Sequence, residues 1–248
     1  MTRSLGGLRR RLTRAAALVD WPALALVRDS CALCAGRWQL RLAASDIGVR
    51  CLACGATPVT QSLVAVLAAL PIHWAAADAC ELSAEGPLVD WLRARTRSLA
   101  TSEFHDGVAP GLRVGEVRNE DVEALSYPDA GFDLATSTEV FEHVGDDRRG
   151  FAEIRRVLRP GGWWVFTVPL FDAAATVERY VRDGEDWRPL LAEQFHADRR
   201  GRRVPVRRDY GRDIVERLLA AGFAEARIEL PEHSWAGQRR PVVVAKAP

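Results

Sequence analysis

The sequence predicts an α/β protein built on a doubly wound, mostly parallel sheet, and three observations carry that prediction. Phe132-Asp133-Leu134-Ala135-Thr136 and Trp163-Trp164-Val165-Phe166-Thr167-Val168 are short apolar runs, the profile of strands buried on both faces. Between them lies a helix signature. Asp146-Asp147 stand at its start, Phe151, Ile154, Val157 and Leu158 fall at helical spacing, Arg155, Arg156 and Arg159 load its last turn, and Pro160-Gly161-Gly162 stops it. Strand, helix and strand at this spacing make a right-handed crossover between parallel neighbours. Polar residues just past the first strand, Thr138, Glu139 and His143, therefore fall outside the carboxyl ends of the strands, where open α/β sheets bind ligands.

At 248 residues the chain holds one full α/β domain plus a small appendage. A net charge of +1 gives no global field directed at nucleic acid or membrane. Lys246 is the only lysine, which reads as a coding bias towards arginine. Residues 1–27 are expected to form an amphipathic helix, with Leu5, Leu8, Leu12, Ala16 and Val19 on one face and Arg9, Arg10, Arg11 and Arg14 on the others. Asp20 and Pro22 interrupt the apolar run, which argues against a secretory signal and for a cytoplasmic protein. A packed helix is preferred to a membrane anchor, because one short amphipathic helix binds bilayers weakly.

Four of the five cysteines form a pattern, Cys31-Ala-Leu-Cys34 and Cys51-Leu-Ala-Cys54, within a module expected over residues 28–58. Each CxxC turn directs two thiolates at one point, and two such turns complete a tetrahedral zinc shell, as in a zinc ribbon. Trp38–Leu42 and Ile47–Arg50 read as its hairpin. The alternative is reduced thiol pairs or disulfides; without a secretory signal the disulfides are disfavoured. Four thiolates leave no open position, so the zinc would be structural. Cys80 reads as a buried core thiol. Arg37, Arg41 and Arg50, offset by Asp46, do not make the basic and aromatic stripe of a nucleic-acid surface.

The run FD…EVFEHV…FAEIRRVLRPGG…F.VP resembles the second half of the catalytic domain of class I S-adenosylmethionine-dependent methyltransferases of the small-molecule type (methyltransferase type 11-like). The resemblance is closest over residues 76–170. It implies a Rossmann-like, seven-stranded, mostly parallel sheet over residues 59–248 and S-adenosylmethionine as cofactor. Ala75–Leu82 takes the place of the first strand, and Glu81 that of the acid before an ExGxGxG loop. Ser83 and Glu85 replace the first two glycines and Gly86 is out of register, which is the largest departure from the pattern. Ser83 is small and can still donate to a carboxylate. Glu103, at the tip of a strand over Ser98–Ser102, matches the ribose ligand. Asp121 matches the acceptor for the adenine amino group, and the Val122 N–H the contact to a ring nitrogen. Glu139 and His143 fall near the reacting methyl.

Residues 170–205 are too long for a simple connection and are expected to cover the site, with Phe171, Tyr180, Trp187, Phe195 and His196 as an aromatic wall. His196 is the candidate general base, with His143 second. Arg199, Arg200, Arg202, Arg203, Arg207 and Arg208 form a run that reads as a solvated loop with a weak anionic preference. Asp209–Ala221 reads as a helix, and Phe223–Leu230 with Pro241–Ala245 as the closing antiparallel hairpin. The expected reaction is methyl transfer to an O, N or C nucleophile of a small molecule, some anionic, by proximity and alignment with one base. Its rivals are a nucleic-acid methyltransferase and a non-catalytic binding module with an eroded glycine loop.

Overall fold

The computed structural model describes residues 20–184, 186–197 and 201–248. Its contacts separate into two compact units, residues up to Ala68 with Leu230–Arg240, and Ala69–Glu229 with Pro241–Pro248.

In the first unit, Ala25–Arg28 (β1), Trp38–Arg41 (β2) and Val49–Cys51 (β3) form an antiparallel sheet in the order β1-β2-β3. Most of the amphipathic helix expected over residues 1–27 lies outside the described residues. Its tail is corrected: Trp21–Ala23 is a 3₁₀ turn, and Ala25–Arg28 pairs with Arg41–Trp38 as a strand. Pro58–Ala69 (α1) follows, with Leu63, Val64 and Leu67 buried. Gln39 and Gln61, both buried, exchange amide hydrogen bonds of 3.1 and 3.2 Å, so two polar groups without access to water satisfy one another.

The second unit is an α/β fold of Rossmann type around a large mixed sheet. Its elements are Asp78–Glu81 (β4), Pro87–Arg93 (α2), Ser98–Glu103 (β5), Arg113–Val114 (β6), Val117–Asn119 (β7), Phe132–Thr138 (β8), Asp147–Val157 (α3) and Leu158–Thr167 (β9). Three small ladders follow, pairing Val177–Glu178 (β10) with Arg208–Asp209 (β15), Tyr180–Asp183 (β11) with Asp186–Pro189 (β12), and Phe195–Ala197 (β13) with Arg203–Pro205 (β14). Ile214–Ala220 (α4), Glu225–Glu229 (β16) and Val242–Lys246 (β17) close the chain.

The sheet runs β16-β17-β9-β8-β4-β5-β7-β6. The core strands β9, β8, β4, β5 and β7 are mutually parallel, and β17, β16 and β6 pair antiparallel. Eight strands stand where seven are expected, because the two-residue β6 folds back on β7 through a turn at Gly115, whose φ is +62°. The order reverses beside β4: the chain steps from β4 to β5 and β7 on one side, then returns to β8 and β9 on the other. Such a reversal opens a crevice beyond the strands' carboxyl ends.

The central crossover forms as its sequence predicts. The Asp146 carboxylate accepts from the N–H groups of Arg148 and Arg149 and caps α3. Phe151, Ile154 and Val157 are buried against a core that includes Trp164, stacked 3.8 Å from Phe166. The expected stop at Pro160-Gly161-Gly162 is corrected. The helix already ends at Val157, and these residues lie within β9, where a register shift and a left-handed Gly161 mark an irregularity. Gly162 has no room for a side chain, since a Cβ would sit 2.9 Å from the Arg159 carbonyl. Arg159 leaves the helix to pair with Asp78 and Asp133. No helix among the described residues is long and apolar enough to cross a membrane.

Candidate active site

A cavity of about 860 Å³ lies in the second unit at that crevice. Leu82 and Ser83 enter it from beyond β4, Ser102 and Glu103 from β5, Asp121, Val122 and Glu123 from beyond β7, and Thr138, Glu139, Val140 and His143 from the end of β8. The small ladders contribute Arg182, Trp187, Ala197, Arg203, Val204 and Pro205, and Arg207 also lines it. The charge is unevenly divided. The strand ends bring carboxylates, and residues 182–207 bring guanidinium groups.

Glu103 and Asp121, expected to hold one nucleoside, line the same space, and so do Ser83, Val122, Glu139 and His143. The Glu103 carbonyl accepts from the Glu120 N–H at 3.1 Å, which fixes the two strand ends side by side. Asp121 Oδ1 accepts from the Glu123 N–H at 2.9 Å, so one oxygen holds the turn. Glu139 has φ +53°, and its N–H is held by the Thr167 carbonyl. A left-handed glutamate at a strand's carboxyl end is a strained feature of the kind that clusters at functional sites.

Two expected cofactor residues stand apart from the lining. Glu81 is 1% exposed at the end of β4, where its carboxylate accepts from the Thr136 hydroxyl on β8. Gly86 precedes α2 with φ +121°, a backbone that requires glycine. A glycine thus survives in this loop for its conformation, although it does not border the cavity.

The expected aromatic wall is corrected to one ring. Trp187 lines the cavity, whereas Phe171 is half-exposed elsewhere and the Tyr180 hydroxyl donates to Glu193. A Cβ on Gly145 would lie 2.9 Å from Trp187 and 2.7 Å from Glu123 Oε1, so the indole seats where Gly145 offers no side chain. Arg207 lies 4.0 Å over the same ring. Burial, then the neighbouring Arg208, lowers the Arg207 pKa from the ordinary guanidinium value.

The solvated arginine run is corrected at its end. Arg199 and Arg200 lie outside the described residues and Arg202 and Arg203 are exposed, but Arg208 is 3% exposed. It donates to the carbonyls of Phe141, Val144 and Gly145 at 3.0, 2.6 and 2.7 Å and pairs with Glu178 at 3.1 Å. The buried Asp147 beside it accepts from Tyr210 and Arg217. This network shapes the turn that carries His143. His143 Nδ1 lies 2.8 Å from the Pro205 carbonyl, and its ring meets that of His196 edge-on at 5.0 Å. His196 does not border the cavity, although its neighbour Ala197 does. Between the imidazoles lies Glu142, a residue sequence reasoning passed over. Its adjacency to His143 in EVFEHV is the signal that was there to use.

In the first unit, Cys31, Cys34, Cys51 and Cys54 bring their sulfurs together, with Cys31–Cys54 and Cys34–Cys51 at 3.6 Å and no disulfide. Four sulfurs around one zinc at about 2.3 Å are spaced at roughly 3.7 Å, so the cluster has the right size. Leu33 and Gly36 donate N–H bonds to Cys31 and Cys34. The two knuckles are alike: Ala35 and Gly55 are both left-handed, and each N–H reaches back to the first cysteine's carbonyl. Gly36 serves space rather than conformation, since a Cβ there would meet Ala53 at 2.9 Å. Without an ion, burial pushes the Cys31 thiol up to about 11.

The chain is similar to known proteins over part of its length. Residues 51–166 match the family described as "Methyltransferase domain". An uncharacterised 37.1 kDa protein in transposon TN4556 of Streptomyces fradiae is 34% identical over 109 residues, 44% of this chain and 29% of that protein. A dimethylglycine N-methyltransferase of Parasynechococcus marenigrum (strain WH8102) is 39% identical over 54 residues, 22% of this chain and 19% of its own. Among solved structures, an S-adenosylmethionine-dependent methyltransferase from Mesorhizobium loti covers 73% of this chain and 95% of its own at 19% identity and a TM-score of 0.46. The chain spans under a third of the length of the curated relatives it matches. Over residues 51–166, therefore, the chain is similar to the family described as a methyltransferase domain.

Proposed function

We propose that the cavity binds S-adenosylmethionine against its carboxylate side and transfers the methyl group to a small-molecule acceptor that carries an anionic group. The observation that carries this reading is the meeting of Glu103 and Asp121, from neighbouring strand ends, at one space of nucleoside-accommodating size. Glu103 would accept both ribose hydroxyls and Asp121 the adenine amino group, with Val122 covering the ring. Ser83 would donate to the amino-acid carboxylate. Glu139 and the other acids favour the cofactor's ammonium and sulfonium charges.

The cofactor supplies an already electrophilic methyl group, so the protein's task is placement. The acceptor would enter from the side of residues 170–205, where Arg203 and Arg207 attract a carboxylate or phosphate. The dimethylglycine N-methyltransferase among the relatives is named for such a substrate, an amine bearing a carboxylate. His143, which lines the cavity, or His196 beside it, would take the acceptor's proton. Residues 28–58 would be a zinc ribbon in which Cys31, Cys34, Cys51 and Cys54 hold one ion and staple a fold too small to stabilise itself. Reduced thiols of this kind suit the cytoplasm.

Calorimetry with S-adenosylhomocysteine tests the reading. Wild-type protein should bind it, and Glu103→Ala should weaken binding by about 10-fold or more. Failure of the wild-type protein to bind would leave only the module without activity.

A further inference from the structure

We propose that Glu142, His143 and His196 form a second metal site, a two-histidine, one-carboxylate set for a divalent first-row ion such as Zn²⁺, at the wall of the cavity. The site stands on its own geometry. Only the identity of the molecule that meets the ion there rests on the methyltransferase reading.

The first observation is Glu142 itself. It is 1% exposed, and among the described residues neither of its carboxylate oxygens accepts a hydrogen bond. Buried carboxylates are ordinarily satisfied by hydrogen bonds, by close charge pairs or by metal ions. What faces Glu142 Oε1 is two imidazole nitrogens, His143 Nε2 at 3.6 Å and His196 Nδ1 at 3.7 Å. Those separations are too long for hydrogen bonds. They are close to the spacing of two ligand atoms bound to one ion, since bonds of about 2.0–2.2 Å in a tetrahedral shell set neighbouring donors roughly 3.3–3.6 Å apart. The three donor atoms all lie within 4.8 Å of one another.

The second observation is the orientation of His143. A carbonyl only accepts, so the Pro205 oxygen 2.8 Å from Nδ1 places the ring proton on that nitrogen. The Nε2 lone pair is thereby left facing Glu142. A backbone carbonyl holding the far nitrogen of a liganding imidazole is the usual outer support of a metal site. Here the β13–β14 hairpin supplies that carbonyl from β14 and His196 from β13. The hairpin and the turn after β8 therefore build the set jointly.

Two imidazoles and one carboxylate suit zinc, iron, cobalt or nickel better than calcium or magnesium, which take all-oxygen shells. Three protein ligands leave coordination positions open. His143, Ala197 and Pro205 border the cavity, so an oxygen of the bound acceptor or water would fill them. Ligation uses the lone pairs a proton-accepting imidazole needs. The two roles for these histidines exclude one another.

The test is a Zn²⁺ titration of the full-length protein, followed by native mass spectrometry, with S-adenosylhomocysteine affinity measured in parallel. Wild-type protein should take up a second equivalent beyond the four-cysteine ion. Cys54→Ser should keep the equivalent held by the histidines. Glu142→Gln and the half-exposed His196→Ala should each weaken that equivalent by about 10-fold or more. Thermal unfolding would confirm that both variants fold, and His196→Ala serves if Glu142→Gln does not. A wild-type protein that stops at one equivalent, or variants that hold the second undiminished, would overturn the proposal in favour of imidazolium–carboxylate pairing. Loss of S-adenosylhomocysteine binding with the second equivalent intact would sink the methyltransferase reading and leave this site standing.

Discussion

The guanidinium carbon of Arg207 sits 4.0 Å above the ring of Trp187, and both side chains line the cavity that the strand ends also border. The stacked indole holds the cation in place over a space rich in carboxylates. Under the proposed function, Arg207 would be a fixed anchor for an anionic acceptor. If the cavity methylates carboxylate-bearing amines, as proposed, Arg207→Gln should raise KM for such acceptors by about 10-fold or more, with kcat changed little. Radiometric methyl-transfer assays on these acceptors check this. An equal loss with neutral amines would count against the anchor.

Gly145 carries the indole from below. Adding a Cβ there meets Trp187 and the Glu123 oxygen that accepts the Asp146 N–H at the start of α3. Gly145→Ala should cost about 1–3 kcal/mol, as overpacking does, read as a lower denaturant midpoint with an unchanged slope. The Trp187→Ala/Gly145→Ala double variant should recover part of that loss, because one of the two colliding groups is gone.

At the amino ends of the strands, Asp78 is bonded by Arg97 Nε at 2.9 Å, Ser98 Oγ at 2.6 Å and Arg159 at 2.8 Å. These partners, Arg97 first, hold its carboxyl well below the usual range. A carboxyl depressed in the folded state stabilises fully above its unfolded pKa, about 3.9, and loses that contribution as pH falls through the folded value. The stability advantage of wild type over Asp78→Asn should therefore be constant from pH 7 down to about 5 and shrink below about 4. Urea melts across that range check it; an advantage that grows on acidification would contradict the linkage.

The parts of this fold legible in the sequence were those whose cause is local. The crossover from Phe132 to Thr167 could be read because buried strands and an amphipathic helix impose their own periodicities, and Asp146 caps where it should. The cysteine pairs could be read because thiolate geometry fixes their spacing. What stayed hidden depends on distant partners. Arg208 looks like one of a solvated run, yet carbonyls some sixty positions away in sequence bury it. Of the five rings expected as a wall only Trp187 borders the cavity; Tyr180, Phe195 and His196 are placed by β-ladders, and nothing in the spacing announces those pairings. Glu142 was overlooked because its meaning comes from His196, which only the β13–β14 hairpin brings near.

Asp121 offers the sharpest separation of structure from function at the proposed nucleoside site. Its Oδ1 already serves the protein by accepting the Glu123 N–H. Asp121→Asn keeps a carbonyl oxygen for that bond and replaces the other acceptor with an NH₂ donor, which would face the adenine amino group donor to donor. Asp121→Ala removes both. If the carboxylate reads adenine, Asn should leave thermal stability nearly unchanged yet weaken S-adenosylhomocysteine binding by about 10-fold or more, through one lost bond and one unpaired donor. Ala should weaken binding similarly and also cost about 1 kcal/mol of stability through the lost turn bond. Paired melting and calorimetry on the two variants check both effects. Undiminished affinity in Asp121→Asn would mean that Asp121 shapes the turn and nothing more, and the nucleoside would then have to be held by Glu103 and the cavity wall without it.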